Sequence, residues 1–232
     1  QISDLPDSFA GLSNLSLLDL SRNIVSDFPA ALHHLASLET LELDGNRITS
    51  LAGTAGQLRS LRKFQVSGNP IMRLPEDEDF RGLPALRSLQ LNSCYLLMLP
   101  SSFGLFPGSL QFLELNRNRL EELPPSFGNL VHLVDLEVSG NRLATLPESF
   151  ANLTSLKRLK ANANHFEALP PSLLSLGFLE ELILNENLIK VLPTRLVGLV
   201  GLRQLELRRN PVEHWPEESC NDLPSLQSLD VQ

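Results

Sequence analysis

Histidines, cysteines and clustered carboxylates are the side chains of this 232-residue chain that could act as bases, nucleophiles or metal ligands. The five histidines are His33, His34, His132, His165 and His214. None of them has the spacing of a metal-binding pair, or of a base beside a nucleophile. The chain also lacks a Gly-Lys loop of the kind that cradles phosphate. We therefore expect no catalytic residue, no cofactor, no metal site and no small-molecule substrate.

An acidic run, Glu-Asp-Glu-Asp at residues 76–79, is the best candidate for binding a cation. Carboxylate oxygens suit Ca²⁺, but a calcium loop also needs a glycine at its sharp turn and ligands at defined intervals. The run has neither of these features. We interpret it as a solvated bulge in a segment slightly longer than its counterparts elsewhere in the chain.

A recurring frame, Leu-x-x-Leu-x-Leu-x-x-Asn, determines where the remaining side chains lie. Its last residue, the ladder position, is occupied by Asn23, Asn46, Asn69, Cys94, Asn118, Asn141, Asn164, Asn187 and Asn210. Neighbouring ladder positions are 23 to 25 residues apart. A period this regular is typical of a leucine-rich repeat solenoid, in which stacked repeats bury a core that one repeat cannot bury alone.

The frame predicts one short strand in each repeat. In the sixth frame Leu136 and Val138 should point inward while Asp135 and Glu137 point outward, because alternate residues of a strand face opposite sides. The ladder asparagine then turns the chain out of the sheet. Its amide can both donate to and accept from backbone groups that the bend removes from strand pairing.

The return segments predict turns and short helical pieces, since Leu-Pro or an aromatic-Pro pair follows nearly every ladder position. Proline fixes φ and favours an extended residue before it. Three residues after the proline a phenylalanine recurs, as at Phe103, Phe127 and Phe150. We expect these rings to form a spine inside the convex wall.

The full pattern, Leu-x-x-Leu-x-Leu-x-x-Asn-x-Leu-x-x-Leu-Pro-x-x-Phe/Leu-x-x-Leu, resembles the intracellular 23-residue class of leucine-rich repeats. It is similar to the repeats of the Scribble/Erbin polarity scaffolds, of the Ras/Raf scaffold proteins and of several bacterial type III effectors. The resemblance covers the whole chain. It implies an α/β fold, a right-handed solenoid or horseshoe with a concave parallel sheet of about ten strands. It also implies protein–protein recognition on that concave sheet.

Composition restricts the partner and the location. The net charge of −8 disfavours binding to nucleic-acid phosphates, and no apolar stretch approaches the ~18 residues of a membrane span. Cys94 and Cys220 are about five repeats apart, so they cannot pair within one chain. Because disulfide-flanked caps are absent, we expect a reducing, cytoplasmic location, or delivery into a host cell if the protein is a bacterial effector.

We expect one continuous solenoid domain over residues 1–232, truncated at both ends and without caps. The first residues resemble the tail of an earlier repeat, and the last ones form a strand with no ladder residue after it. Solenoids need polar caps at their ends, so this pattern is that of a segment from a longer chain.

The outward positions of the predicted sheet are the ones free to encode function. Eight of them, in four adjacent repeats, are candidate partner-binding residues: Phe112, Glu114, Asp135, Glu137, Arg158, Lys160, Glu181 and Ile183. Phe112 is an aromatic residue on an outward face, and Ile183 is an apolar residue in a mostly acidic row. An aromatic anchor among charges is typical of an interface hot spot.

A structural explanation competes with the functional one. Opposite charges on neighbouring strands pair for stability alone, at ~0.2–1 kcal/mol, and single exposed apolar residues are common on protein surfaces. Taken together, the aromatic, the isoleucine and the charge cluster favour a partner-binding surface.

The sequence therefore predicts a module that binds a partner protein on its concave face. An alternative is the substrate-recognition domain of a larger enzyme, such as an effector ubiquitin ligase, GTPase, kinase or phosphatase. An extracellular receptor fragment is a third possibility, which flanking cysteine caps and a signal peptide would support.

Overall fold

The computed structural model describes residues 1–52, 58–75, 83–105 and 109–232. The acidic run at 76–79 and the side chain of Cys220 lie outside this description. The described residues form a solenoid in which each repeat contributes a strand, a turn and a return segment.

Ten strands lie in one sheet, in the order of the sequence, and every neighbouring pair is parallel. The strands are β1 Leu17–Asp19, β2 Thr40–Glu42, β3 Lys63–Gln65, β4 Ser88–Gln90, β5 Phe112–Glu114, β6 Asp135–Glu137, β7 Arg158–Lys160, β8 Glu181–Ile183, β9 Gln204–Glu206 and β10 Ser228–Asp230. This confirms the predicted leucine-rich repeat architecture and its parallel concave sheet.

Register follows the repeat frame without a slip. Leu136 lies opposite Leu113 on one side and Leu159 on the other, and all three side chains are buried. Each strand from β1 to β9 buries its middle residue in the same way and turns its two flanking residues outward. The side-chain alternation expected from the sequence is therefore confirmed, and like positions of successive repeats form straight rows.

The return segments contain short 3₁₀ helices, and none of the described residues is α-helical. The 3₁₀ helices span Asp7–Gly11, Ala30–His34, Phe103–Leu105, Pro125–Asn129, Glu148–Asn152, Pro171–Ser175 and Glu217–Asp222. Most begin directly after the proline of the Leu-Pro or aromatic-Pro pair. The carbonyl of that proline accepts the first hydrogen bond of the helix; the Phe127 N–H, for example, donates to the Pro124 carbonyl at 2.9 Å. A single 3₁₀ turn is short enough to match the narrow spacing between repeats.

The predicted aromatic spine runs inside the convex wall. The rings of Phe103 and Phe127 stack at 6.0 Å between centroids, and those of Phe127 and Phe150 do the same. All three side chains are fully buried. Backbones also approach closely here, since a Cβ on Gly128 would lie 2.1 Å from the carbonyl oxygen of Ser149 in the next repeat. Only glycine allows that approach.

The ladder asparagines tie successive repeats together. The Asn141 side-chain amide donates to the carbonyls of Leu115 and Val138, both at 2.9 Å, and its oxygen accepts from the Leu120 N–H at 3.0 Å. Asn141 is nearly buried, so these bonds satisfy backbone groups that water cannot reach. The role expected of the ladder position is confirmed.

Cys94 fills one ladder position with fewer bonds. Its thiol lies 3.4 Å from the carbonyl of Val66, but it offers no acceptor like the amide oxygen of asparagine. The Ile71 N–H, whose counterparts bond to a ladder asparagine, instead bonds to the carbonyl of Asn69 at 2.8 Å. Tyr95, directly after the cysteine, has a positive φ of 61°. The substitution therefore changes the local turn.

Candidate functional site

Three rows of outward side chains cover the concave sheet. The first row is Leu17, Thr40, Lys63, Ser88, Phe112, Asp135, Arg158, Glu181, Gln204 and Ser228. The central row is Asp19, Glu42, Gln65, Gln90, Glu114, Glu137, Lys160, Ile183, Glu206 and Asp230. The third row follows each strand by two residues and runs from Ser21 to Arg208. All eight candidate residues lie in the first two rows, on β5 to β8.

Two ion pairs occupy the centre of this surface. Arg158 places Nε and one terminal nitrogen 2.8 and 2.7 Å from Oδ2 of Asp135. Lys160 lies 2.6 Å from Oε1 of Glu137. Both pairs join residues that are directly opposite on β6 and β7. The sequence prediction that these four charges meet is confirmed, and each cation is held by one neighbouring carboxylate.

Burial and hydrogen bonding act in opposite directions on these charges. Burial alone would raise the pKa of Glu137, but hydrogen bonds from Lys160 and from Asn116, the latter at 2.8 Å, hold this pKa below its usual value. The bond to Glu137 raises the pKa of Lys160, and the bond to Asp135 raises that of Arg158. Glu137, Lys160 and Arg158 therefore remain charged near neutral pH.

Phe112 and Ile183 are the apolar members of the candidate surface. Phe112 is 41% exposed and lies between Ser88 and Asp135 on the neighbouring strands. Ile183 is half-buried beside Lys160. The two lie at opposite edges of the charge cluster, three strands apart. A partner that touched both would span four repeats.

Glu114 and Asp135 keep hydrogen-bonding capacity that the described residues do not fill. Glu114 accepts from Gln90 at 2.9 Å and from Asn92 at 2.6 Å, and it has no cation within ion-pair distance among the described residues. The second oxygen of Asp135, Oδ1, is buried and has no hydrogen-bond partner in that part of the chain. Both residues line a cleft of about 40 Å³ beside Phe112.

The third row forms a second ladder that the sequence analysis missed. The Asn116 side-chain oxygen accepts from the Ser139 N–H at 2.8 Å, and the Ser139 hydroxyl accepts from the Asn162 N–H at 3.1 Å. Equivalent bonds, from the backbone N–H of the second residue to the side-chain oxygen of the first, join the pairs Asp44–Ser67, Ser67–Asn92, Asn92–Asn116, Asn162–Asn185 and Asn185–Arg208. The Ser and Asn residues of this row therefore satisfy backbone groups, which explains their recurrence.

An open groove of about 550 Å³ extends over the third row, from Glu137 and Lys160 of the central row to the turn residues that follow the third row. Its walls include Asn116, Glu137, Ser139, Lys160 and Asn162. Such a groove can accept an extended segment or a loop through polar contacts. Among the described residues no group of three or more histidine, cysteine or acidic side chains could hold a metal ion.

Comparison with known families agrees with this geometry. A family model described as a leucine rich repeat matches residues 2–48, 37–96 and 108–166, more than half of the chain. The chain belongs to the leucine-rich repeat family. Leucine-rich repeats generally mediate protein–protein interaction. No helix in the described part of this leucine-rich repeat chain is long and apolar enough to cross a membrane.

Solved structures extend the comparison. A leucine-rich repeat protein of Leptospira interrogans matches all of this chain and 70% of its own, with 26% identity and a TM-score of 0.57. A TDR receptor matches 98% of this chain, with 28% identity and a TM-score of 0.78. The plant peptide hormone receptor RGFR1, in complex with RGF2, matches 98% with 24% identity and a TM-score of 0.75. The chain spans 41% of each receptor. No curated protein matches it.

Proposed function

We propose that this leucine-rich repeat chain is an interaction module that binds a partner protein on its concave face, between β5 and β8. The proposal assigns binding and no catalytic step to the chain. The observation that carries it is the arrangement around Phe112, an exposed aromatic side chain in the middle of a mostly polar sheet face.

The surroundings of Phe112 support an anchor rather than a stray apolar residue. Interface hot spots combine an aromatic side chain with charged neighbours that become desolvated on binding. Asp135 lies directly beside Phe112 on the next strand, and Glu137 and Lys160 form an ordered pair one row away. Side chains already held in ion pairs lose little conformational freedom when a partner covers them.

The relatives support a protein or peptide ligand. The plant peptide hormone receptor RGFR1 was solved in complex with RGF2. That structure is less than 25% identical to this chain, so it supports the fold as a scaffold for a peptide ligand and says nothing about which residues make contact.

The test is a binding titration against a partner captured with the immobilised chain from an extract of the source organism. We expect Phe112→Ala to weaken that complex by about 1–2 kcal/mol, and Glu137→Lys to weaken it by a similar amount. The Phe112 side chain points away from the core, so thermal unfolding of Phe112→Ala should change little. Glu137→Lys also breaks the ion pair with Lys160, so its unfolding temperature should fall, and its binding is measured well below that temperature.

Matched controls use the same residue types on other faces. Phe178 is 71% exposed and lies outside the concave rows, and Glu148 is an exposed residue of a convex 3₁₀ helix. Phe178→Ala and Glu148→Lys should leave the affinity unchanged. If these controls lose binding while the Phe112 and Glu137 variants keep it, the partner occupies another face and the proposal is wrong.

A further inference from the structure

The charges of the concave face are unequal. Over the three outward rows from Leu17 to Asp230 there are nine carboxylates and four cations, a net charge of −5. The whole chain carries −8, so most of its excess negative charge lies on this one surface. A concave surface of one sign concentrates the electric field and attracts groups of the opposite sign.

The four cations of this face are already paired with carboxylates of neighbouring strands. The pairs are Lys63–Glu42, Arg158–Asp135, Lys160–Glu137 and Arg208–Asp230. This leaves five carboxylates with no cation within ion-pair distance among the described residues: Asp19, Asp44, Glu114, Glu181 and Glu206. The three rows therefore offer a partner five carboxylates without a cation, while each cation within these rows is already paired.

Asp44, near the other end of the sheet, also lies close to other carboxylates. Burial is the main cause that raises its pKa, and the nearby charges of Glu42 and Asp19 add to it, while the Ser67 N–H at 2.6 Å and the charge of Lys63 act in the opposite direction. Removing this like-charge repulsion would be favourable. A basic side chain from outside would supply that compensation.

Glu114 differs from the other unpaired carboxylates because an aromatic ring stands beside it. Phe112 and Glu114 are alternate residues of β5, so both side chains leave the same face about 6.6 Å apart along the strand. The carboxylate keeps lone pairs beyond the two that Gln90 and Asn92 use. Asp135, with its unbonded Oδ1, lies directly opposite Phe112 on β6.

We infer that the concave face takes a basic segment of its partner, and that an arginine side chain of that segment docks on Phe112 with its guanidinium against Glu114. The planar guanidinium can stack on a ring and also offer paired donors to a carboxylate. An ammonium group fits the same place with fewer donors. This inference rests on the proposed function and adds the chemistry of the partner.

The first experiment uses defined peptides, because the chemistry can be tested before the partner is known. Four fluorescein-labelled Gly/Ser peptides of about twelve residues would carry arginine, lysine, citrulline or glutamate at the same positions. Citrulline keeps the shape of arginine without its charge. We expect the arginine peptide to bind most tightly, the lysine peptide next, and the other two at least about 10-fold more weakly. Binding should weaken as salt is added.

Variants of the chain then locate the site. Phe112→Ala and Glu114→Gln should each weaken the arginine peptide by about 2- to 10-fold. Phe112→Leu keeps an apolar side chain without a π face and should weaken it as well, which separates ring stacking from apolar contact. Phe178→Ala and Glu148→Gln, on other faces, should bind as the wild type does.

Three outcomes would overturn the inference. One is a citrulline or glutamate peptide that binds as tightly as the arginine peptide. Another is unchanged affinity for the arginine peptide in Phe112→Ala or in Glu114→Gln. The third is no binding of the arginine peptide at concentrations up to ~1 mM. If Phe112→Ala still weakens a captured partner in that case, the proposed function stands and only the basic chemistry is wrong.

Discussion

The ammonium nitrogen of Lys160 lies 2.6 Å from Oε1 of Glu137, directly across the β6–β7 pair. The second oxygen of Glu137 accepts from Asn116 on the other side, so this carboxylate connects three consecutive repeats. Both side chains are more than half buried. A charge in that setting depends on its partners, because desolvation alone would favour the neutral acid.

This relationship predicts a pH dependence of stability. Since the pKa of Glu137 is lower in the folded chain than its usual value of 4.5, its stabilising contribution is present above pH 4.5 and is lost as the pH falls through the folded pKa. The difference in unfolding free energy between wild type and Glu137→Gln should therefore shrink below pH 4.5. Denaturant unfolding at several pH values measures it. Glu148→Gln is the same substitution at an exposed convex position and serves as the control, and a flat difference for Glu137→Gln would contradict the prediction.

Asn141→Ala should destabilise the chain by about 1–3 kcal/mol in this buried setting, because the Leu120 N–H would lose its partner and the carbonyls of Leu115 and Val138 would each lose one of two amide donors. The matched control is Asn152→Ala, which makes the same chemical change at an exposed position. That variant should stay within about 0.5 kcal/mol of wild type. Equal midpoints for the two variants in urea unfolding would show that the ladder amide contributes nothing specific.

Gly128→Ala should be more damaging than its small size suggests. Its new methyl group would lie 2.1 Å from the carbonyl oxygen of Ser149, so the two 3₁₀ helices must separate. Overpacking of this kind typically costs about 1–3 kcal/mol. A Cβ on Gly11 would have nothing within 4 Å, so Gly11→Ala should be nearly neutral. Thermal unfolding of both variants tests the difference, and a neutral Gly128→Ala would show that the backbones can move apart freely.

Cys94 should react slowly with thiol reagents in the folded chain. It is buried, and burial raises the pKa of its thiol to about 11. At pH 8 only about one molecule in a thousand would then carry the reactive thiolate. Labelling of a Cys220→Ser variant isolates this residue, with the same variant in denaturant as the control. Labelling at the same rate with and without denaturant would mean that this repeat opens readily.

Most of the concave face could be predicted from the sequence because strand register repeats with the leucines. Once Leu136 and Val138 are assigned to the core, Asp135 and Glu137 must face outward, and the next repeat places Arg158 and Lys160 beside them. The ion pairs then follow from adjacency alone. Prediction worked here because position in the frame decides both neighbours and burial.

Other features could not be predicted because the frame gives the neighbours of a polar side chain but not which of the nearby groups it bonds. The Asn116 side chain could have faced a partner; instead it caps the Ser139 N–H. The sequence places Arg195 on the convex side and indicates no partner for it. In the structure its guanidinium donates two hydrogen bonds to Asp222. The Asp222 carboxylate is buried and also accepts from the Leu196 N–H. Such bonds need the three-dimensional spacing of the repeats.

The stacked phenyl rings in the convex wall have a geometric consequence for the opposite side of the molecule. Their centroids repeat every 6.0 Å, whereas neighbouring strands of a sheet repeat about every 4.8 Å. If the two layers lie roughly 10 Å apart, each repeat is a wedge that tilts by about 7° relative to the last. The wider spacing of the rings on the outer wall thus accompanies the curvature of the sheet. A change that narrowed this spacing would flatten the proposed binding surface without touching any residue on it.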